Sequence, residues 1–193
     1  KELQLHTMQS PCVAIIDETI ISHLHDFVNE EKELFILCDS NVFALYPDLF
    51  TSMDAPIFLL KSTEKRKSLQ TYQRIIRAIQ QHNCSKDTTL LCVGGGIIGD
   101  IGGFVASTYM RGITHILVPT TLLAQVDAAV GGKTALNTKE GKNSIGSYYY
   151  PKKILIDPLF NNTLLEKDFA SGIAEIIKYG LIADATLIDK LTA

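Results

Sequence analysis

The chain has 193 residues, is 46% hydrophobic and 20% charged, and carries a formal net charge of -3 with a pI near 5.9. That balance is ordinary for a soluble globular protein and argues against bulk attraction to nucleic acid, although a local basic site for an anionic small molecule stays open. A chain this long can bury about 70% of the surface its unfolded form exposes, and no apolar run reaches the roughly 20 residues that span a bilayer, so a cytoplasmic protein without a membrane partner is expected.

Strand-like and helix-like segments alternate through the first half. "CVAII" (12–16) is a short apolar run, and "ETIISHLHDFV" (18–28) is amphipathic. "LFILC" (34–38) is a buried-strand candidate that ends at Asp39, and "NVFALYPDLF" follows as a short helix or turn. "PIFLL" (56–60) is another strand candidate. Over 65–80, helical spacing puts Leu69, Tyr72, Ile76 and Ile79 on one face. "TTLLCV" (88–93) runs straight into glycines, a helix is expected over about 98–109, and "HILVPT" (115–120) and "ILIDP" (154–158) are further strands. Buried apolar runs separated by amphipathic helices predict an α/β fold with a Rossmann-like, doubly wound, mostly parallel sheet. From about Leu164 the chain reads only as helices. The expected division is an α/β domain over 1–160 and, over 161–193, the opening of an all-helical second domain cut short at Ala193. Cys12, Cys38, Cys84 and Cys92 form no CxxC pair, so buried free thiols in a reducing compartment are expected.

Residues 94–103, "GGGIIGDIGG", contain six glycines and Asp100. At the end of a strand, glycine lets a ligand approach the backbone closely, and the next helix aims its N-terminal N–H groups at the same spot. Such a turn suits a phosphate or pyrophosphate. The G-x-G-x-x-G match over 94–99 is weak by itself, because it follows a late strand and lacks the downstream acid that would grip a ribose. Small residues for tight helix–sheet packing are the competing explanation.

The next polar run, "VPTTLLAQVDAAVGGKTALNTKEGKNSIG" (118–146), carries Thr120, Thr121, Asp127, Lys133, Lys142 and Asn143. An acid amid apolar residues needs a partner or a shifted pKa. Lysines on glycine-hinged turns are natural anion ligands, and with Arg111 and Asn143 they outweigh a reading as ordinary surface lysines. In "GIAEIIKYG" (172–180), Ile173, Ile176 and Ile177 share a face, with Glu175 and Lys178 opposite. Spacing alone favours an exposed salt bridge there. His6, His23, His25, His82 and His115 show no metal-ligand pattern.

"GGGIIGDIGGFVASTYMRG", "VPTTLLAQVDAAVGGKTALN", "GKNSIG" and "SGIAEIIKYG" closely resemble the 3-dehydroquinate synthase family of sugar-phosphate cyclases. The likeness is continuous from about Leu91 to Gly180 and weaker through "DSNV" (39–42) and "EKRKSL" (64–69). It implies a carbon–oxygen lyase of the shikimate pathway, a homodimer using NAD and a divalent metal, zinc or cobalt. The substrate would be a phosphorylated sugar acid, 3-deoxy-D-arabino-heptulosonate 7-phosphate. Transient oxidation, β-elimination of phosphate, re-reduction and aldol closure would give 3-dehydroquinate. Another cyclase of the 2-deoxy-scyllo-inosose synthase type, or a metal-dependent polyol dehydrogenase, is the alternative.

The resemblance also implies roles. Asp39 and Asn41 would sit at the adenosine ribose with Glu64 and Lys67 nearby. Gly95, Gly96 and Asp100 would hold the pyrophosphate region, Thr120 and Thr121 would line the cofactor, and Thr163 would complete its site. Asp127, Lys133, Asn143 and Lys178 would face the substrate, with Lys142 near the nicotinamide; Lys133 counts toward both sites. Arg111 would reach a substrate phosphate across a dimer interface. Glu175 would be a metal ligand, which reverses the salt-bridge preference. The family's metal-binding histidines would lie beyond residue 193, so this chain alone is expected to bind NAD without turning over.

Overall fold

The structure, a computed structural model, describes residues 1–5, 7 and 11–192; His6 and Ala193 lie outside them. The strands are β1 (Glu2–Leu5), β2 (Cys12–Ile16), β3 (Leu34–Asp39), β4 (Ile57–Leu60), β5 (Thr89–Gly94), β6 (His115–Pro119), β7 (Lys133–Leu136), β8 (Ile145–Tyr148) and β9 (Lys153–Ile156). The helices are α1 (Ile20–Val28), α2 (Ser40–Leu45), α3 (Leu69–Gln81), α4 (Gly96–Thr108), α5 (Glu166–Ile182) and α6 (Thr186–Thr192). Seven strands make one sheet in the order β1-β2-β9-β6-β5-β3-β4, and β7 pairs with β8 separately. Every pairing in the large sheet is parallel except that of β1 with β2.

Successive strand side chains point to opposite faces, and both faces are covered here. Phe35, Leu37, Leu90, Cys92 and Leu117 pack against Ile75 and Ile79 of α3 and Ile98, Ile101 and Val105 of α4. Ile36, Cys38, Leu91, Val93, Ile116 and Val118 pack against Ile20, Leu24 and Val28 of α1, and against Phe160. Two buried faces explain why these strands read as unbroken apolar runs rather than as alternating ones. All four cysteines are free and buried, as expected.

Several elements differ from the sequence expectations. The face that α3 buries is Thr71, Ile75 and Ile79; Tyr72 and Ile76 pack at its margin, and Leu69 is 46% exposed. The helix starts only at Leu69, where the Ser68 hydroxyl accepts from the Thr71 N–H, and residues 64–66 form a separate 3₁₀ turn. α4 begins at Gly96, inside the glycine run, because the turn itself supplies its first residues. Neither β1 nor the β7–β8 hairpin is legible in the sequence. β1 is a mostly exposed edge strand that exists through its antiparallel ladder with β2. The hairpin draws on a distant part of the chain, through the bridge between Ser68 and Asn137. "AQVDA" (124–128) is a short π-helical turn. Among the described residues, no helix is long and apolar enough to cross a membrane.

Candidate active site

Asp39 pairs in register with Leu60, Cys38 with Val93, and Gly94 with Pro119, so β3, β4, β5 and β6 all end at one edge of the sheet. Ligands of open parallel sheets bind beyond that edge. A cleft of about 810 Å³ opens there. Of the residues expected at a cofactor, Asp39, Asn41, Gly95 and Gly96 line it, and so do Thr120, Thr121 and Thr163. They come from four separate stretches of chain, and the fold brings them together.

The local reasons are specific. Asp39 caps α2: its Oδ1 accepts the Asn41 N–H at 2.7 Å, which leaves Oδ2 without a hydrogen bond among the described residues, beside the cleft. Asp157 directly follows β9 in a similar sequence setting, but there Oδ1 accepts from Leu159 at 2.8 Å and Oδ2 from Ile21 at 2.8 Å. Asp157 is wholly buried and structural. Gly95 is the N-cap of α4 and no side chain caps that helix, so its first N–H groups have no intrahelical acceptor. Gly95, Gly96 and Ile97 all face the cleft, where the positive end of the helix dipole favours an anion.

The glycines divide between the two explanations raised by the sequence. A Cβ at Gly102 would lie 2.3 Å from Cys92 Sγ, and one at Gly103 would lie 2.5 Å from Thr134 Cγ2. Those two are small because helix and strands touch. A Cβ at Gly99 would meet nothing within 4 Å, and one at Gly96 would meet only Ala128 Cβ at 3.3 Å. At Gly99 packing does not demand glycine, whereas at Gly96 Ala128 would have to give way by a few tenths of an ångström.

A second cavity, of about 470 Å³, is lined by Asp100, Asp127, Lys133 and Asn143. Asp127 stands on the π-helical turn, and its Oδ1 accepts from the Tyr179 hydroxyl of α5 at 2.7 Å. That bond is the largest cause of a raised Tyr179 pKa. Burial raises the Asp100 carboxyl, while its ion pair with Lys67 pulls the other way. Glu64, Lys67 and Lys142 line neither space; they lie on a third depression with Asn137. Lys67 turns inward and donates to Asp100 and Asn143. Glu64 accepts from Asn137 Nδ2 at 2.8 Å.

Lys178 donates to Glu175 one turn away on α5, the ion pair that spacing suggested. Ile173 and Ile176 are partly buried and Ile177 is 40% exposed, so the apolar face is only loosely covered. Among the described residues no three His, Cys, Asp or Glu side chains cluster to hold a metal. A catalytic zinc site needs about three protein ligands, and Glu175 alone does not fit one. Arg111 is exposed at the far end of α4, on a turn where Met110 (φ 47°), Arg111 (φ 65°) and Gly112 (φ 123°) take left-handed backbone. A helix of 13 residues, rising about 1.5 Å per residue, separates it from Gly96.

Sequence reasoning passed over Asn137, Tyr46 and Tyr179. Asn137 ties the 64–67 turn to the 137–143 loop through four hydrogen bonds. Tyr46 lines the first cleft and shares a hydrogen bond of 2.8 Å with Thr163 Oγ1. None carries a local signal: each matters because of residues far away in the sequence.

The family model described as 3-dehydroquinate synthase N-terminal matches residues 57–171. A 3-dehydroquinate synthase of Clostridium botulinum (strain Alaska E43 / Type E3) is 42% identical over 200 residues, covering 99% of this chain and 57% of that relative. The 2-epi-5-epi-valiolone synthase from Streptomyces hygroscopicus subsp. jinggangensis 5008, solved with NAD+ and Zn2+ bound, superposes with a TM-score of 0.86 at 28% identity over 96% of this chain and 53% of that one. A 2-deoxy-scyllo-inosose synthase complexed with carbaglucose-6-phosphate, NAD+ and Co2+ gives 0.83 at 26% identity over 94% and 52%. The chain thus spans about half the length of the relatives it matches. With the family model covering residues 57–171, the chain belongs to the 3-dehydroquinate synthase family, whose N-terminal region it represents.

Proposed function

We propose that this chain is the NAD-binding part of a 3-dehydroquinate synthase, which converts 3-deoxy-D-arabino-heptulosonate 7-phosphate to 3-dehydroquinate and phosphate. The observation that carries the reading is the convergence of Asp39, Asn41, Gly95, Gly96, Thr120, Thr121 and Thr163 on one cleft at the strand ends. NAD, when bound, supplies transient oxidation of one substrate hydroxyl and its later re-reduction, so the net reaction is redox-neutral.

The chain's own residues do the holding. Asp39 offers a carboxylate oxygen, and Asn41 an amide, to the ribose hydroxyls of adenosine. The uncapped start of α4 receives the pyrophosphate, with Thr120, Thr121 and Thr163 along the cofactor. Lys133 and Asn143, beside Asp127, bind and orient the phosphate and carboxylate of the sugar acid, with Asp127 facing the same substrate. Lys142 and Lys178 contribute charge at the margins. Glu175, paired with Lys178, would be a single ligand and does not by itself make a metal site. Residues 1–160 act as the nucleotide domain and 161–193 open a second, helical one. Arg111 enters a site only from a second copy, so the working form is a homodimer.

Calorimetry should show NAD binding to this chain, and Asp39→Ala should weaken it. The complete gene product should release phosphate from the heptulosonate phosphate without net accumulation of NADH. Net NADH formation would place the protein among polyol dehydrogenases. Phosphate release from a hexose 6-phosphate instead would place it with the 2-deoxy-scyllo-inosose synthases.

A further inference from the structure

Asp127 and Tyr179 lie 52 residues apart on different elements and share one hydrogen bond, in which the Tyr179 hydroxyl donates to Asp127 Oδ1 at 2.7 Å. Asp127 lines the cavity that also holds Lys133 and Asn143; Tyr179 does not. Among the described residues Asp127 Oδ2 has no hydrogen bond, so it is the oxygen left for a ligand in that cavity. The last torsion of an aspartate is broad and roughly two-fold, so a carboxylate held by nothing samples many orientations. A donor brought to one oxygen by a separate element selects one of them. The bond to Asp127, and burial after it, raises the Tyr179 phenol above its ordinary value, so the hydroxyl keeps its proton and stays a donor.

Both ends of the bond are held in place. Asp127 stands on the π-helical turn Ala124–Ala128, closed by the Ala129 N–H donating to the Ala124 carbonyl at 3.0 Å. Such turns are rare and recur at functional sites. On the other side, α5 lies hard against the same segment: Gly172 is buried, and a Cβ there would stand 2.5 Å from Leu122 Cγ. Gly172 and Tyr179 are two turns apart, about 10 Å along the helix, so α5 bears on residues 122–127 at two points. Lys178 Nζ stands 4.4 Å from the centroid of the Tyr179 ring and confines it further.

We propose that Tyr179 is a positioning residue whose hydroxyl, reaching across from α5, holds the Asp127 carboxylate in one orientation and so presents Oδ2 to a hydroxyl of the sugar acid, while Tyr179 itself touches neither substrate nor cofactor. The proposal rests on the functional reading above, in which Asp127 faces the substrate. The orientation is fixed before the substrate arrives, so binding does not have to supply the cost of ordering the carboxylate.

The test uses the complete gene product with Tyr179→Phe, Asp127→Asn and the double variant. NAD affinity is measured by calorimetry, kcat and KM by phosphate release from the heptulosonate phosphate, and folding by thermal midpoint. Loss of one positioning hydrogen bond predicts a KM for the sugar acid raised about 3- to 10-fold in Tyr179→Phe, with kcat and NAD affinity held within about twofold. A merely structural tyrosine would instead reduce the fraction of active enzyme, which lowers kcat and leaves KM alone. Because Tyr179 acts through Asp127, the double variant should have the kcat/KM of Asp127→Asn, and multiplied defects would overturn the proposal. If Asp127→Asn shows no turnover, the KM of Tyr179→Phe decides: a raised KM supports the proposal and a wild-type KM overturns it. If Tyr179→Phe does not fold, Tyr179→Met, whose flexible side chain adapts to the same space, takes its place under the same criteria. Weakened NAD binding with an unchanged KM would make Tyr179 a support of the cofactor site and overturn the proposal. A wild-type protein that releases no phosphate overturns the functional reading and this proposal with it, whereas normal wild-type turnover beside an undisturbed Tyr179→Phe overturns this proposal alone.

Discussion

Replacing Gly99 and Gly102 by alanine, one at a time, separates the two uses of glycine in α4. Both lie within the helix, where alanine is favoured over glycine by about 0.5–1 kcal/mol. A Cβ at Gly102 would stand 2.3 Å from Cys92 Sγ and 3.3 Å from Leu37 Cδ2, in a strand–helix contact with no room to yield. Overpacking of that kind costs about 1–3 kcal/mol, so the net effect of Gly102→Ala is destabilisation by up to about 2.5 kcal/mol. At Gly99 nothing lies within 4 Å of the new Cβ, and the propensity gain survives undiminished. For a chain of this size each kcal/mol moves the thermal midpoint by about 2–4 °C. Urea unfolding at an unchanged m-value is the assay. Gly99 also belongs to the turn proposed to receive the pyrophosphate, so Gly99→Ala should bind NAD more weakly while unfolding at higher temperature, a combination that a folding defect does not produce. A Gly102→Ala midpoint at or above wild type, or a Gly99→Ala midpoint below it, would refute the reasoning.

Asp39→Ala removes the α2 cap and should lower stability by about 1 kcal/mol, whereas Asp39→Asn keeps the cap; both should weaken NAD, and equal midpoints for the two variants would count against the capping role. His115 is buried and its pKa is pushed down to about 3 by burial, against about 6.5 in an unfolded chain. Its stabilising contribution is therefore complete above pH 6.5 and drains away at up to about 1.4 kcal/mol per pH unit as the pH falls toward the folded value. His115→Phe keeps the stack on Tyr149, whose ring centroid lies 5.4 Å away, and should flatten that slope in acid unfolding curves; an unchanged slope rules out His115 as its source. Tyr179→Phe deletes the hydroxyl that donates to Asp127, a bond worth about 0.5–1.5 kcal/mol. Hydrogen exchange should then quicken in α5 but not in α3, and uniform exchange across both would deny that this bond docks α5.

The central strands were legible because their partners matter little to how they read. "LFILC", "TTLLCV" and "HILVP" are apolar on both faces and bounded by polar residues, so any sheet that buries them buries them in this way. The glycine turn and the acid at the end of β3 were legible for a similar reason: backbone freedom at Gly95 and capping by Asp39 are properties of a few adjacent residues. The β7–β8 hairpin and β1 were not, because their ladders depend on which strand arrives alongside. Asp39 and Asp157 look alike in the sequence, each an acid at a strand end. Only the packing of α1 over β9 consumes the second and leaves the first facing the cleft. Lys67 reads as one more charge in a basic stretch, and its burial follows from meeting Asp100 and Asn143, 33 and 76 residues further along the chain. Local propensity and hydrophobic period act over a few residues and so determined the elements and the turn. The orientation of a buried ammonium depends on contacts between distant segments, and only the folded chain decides those.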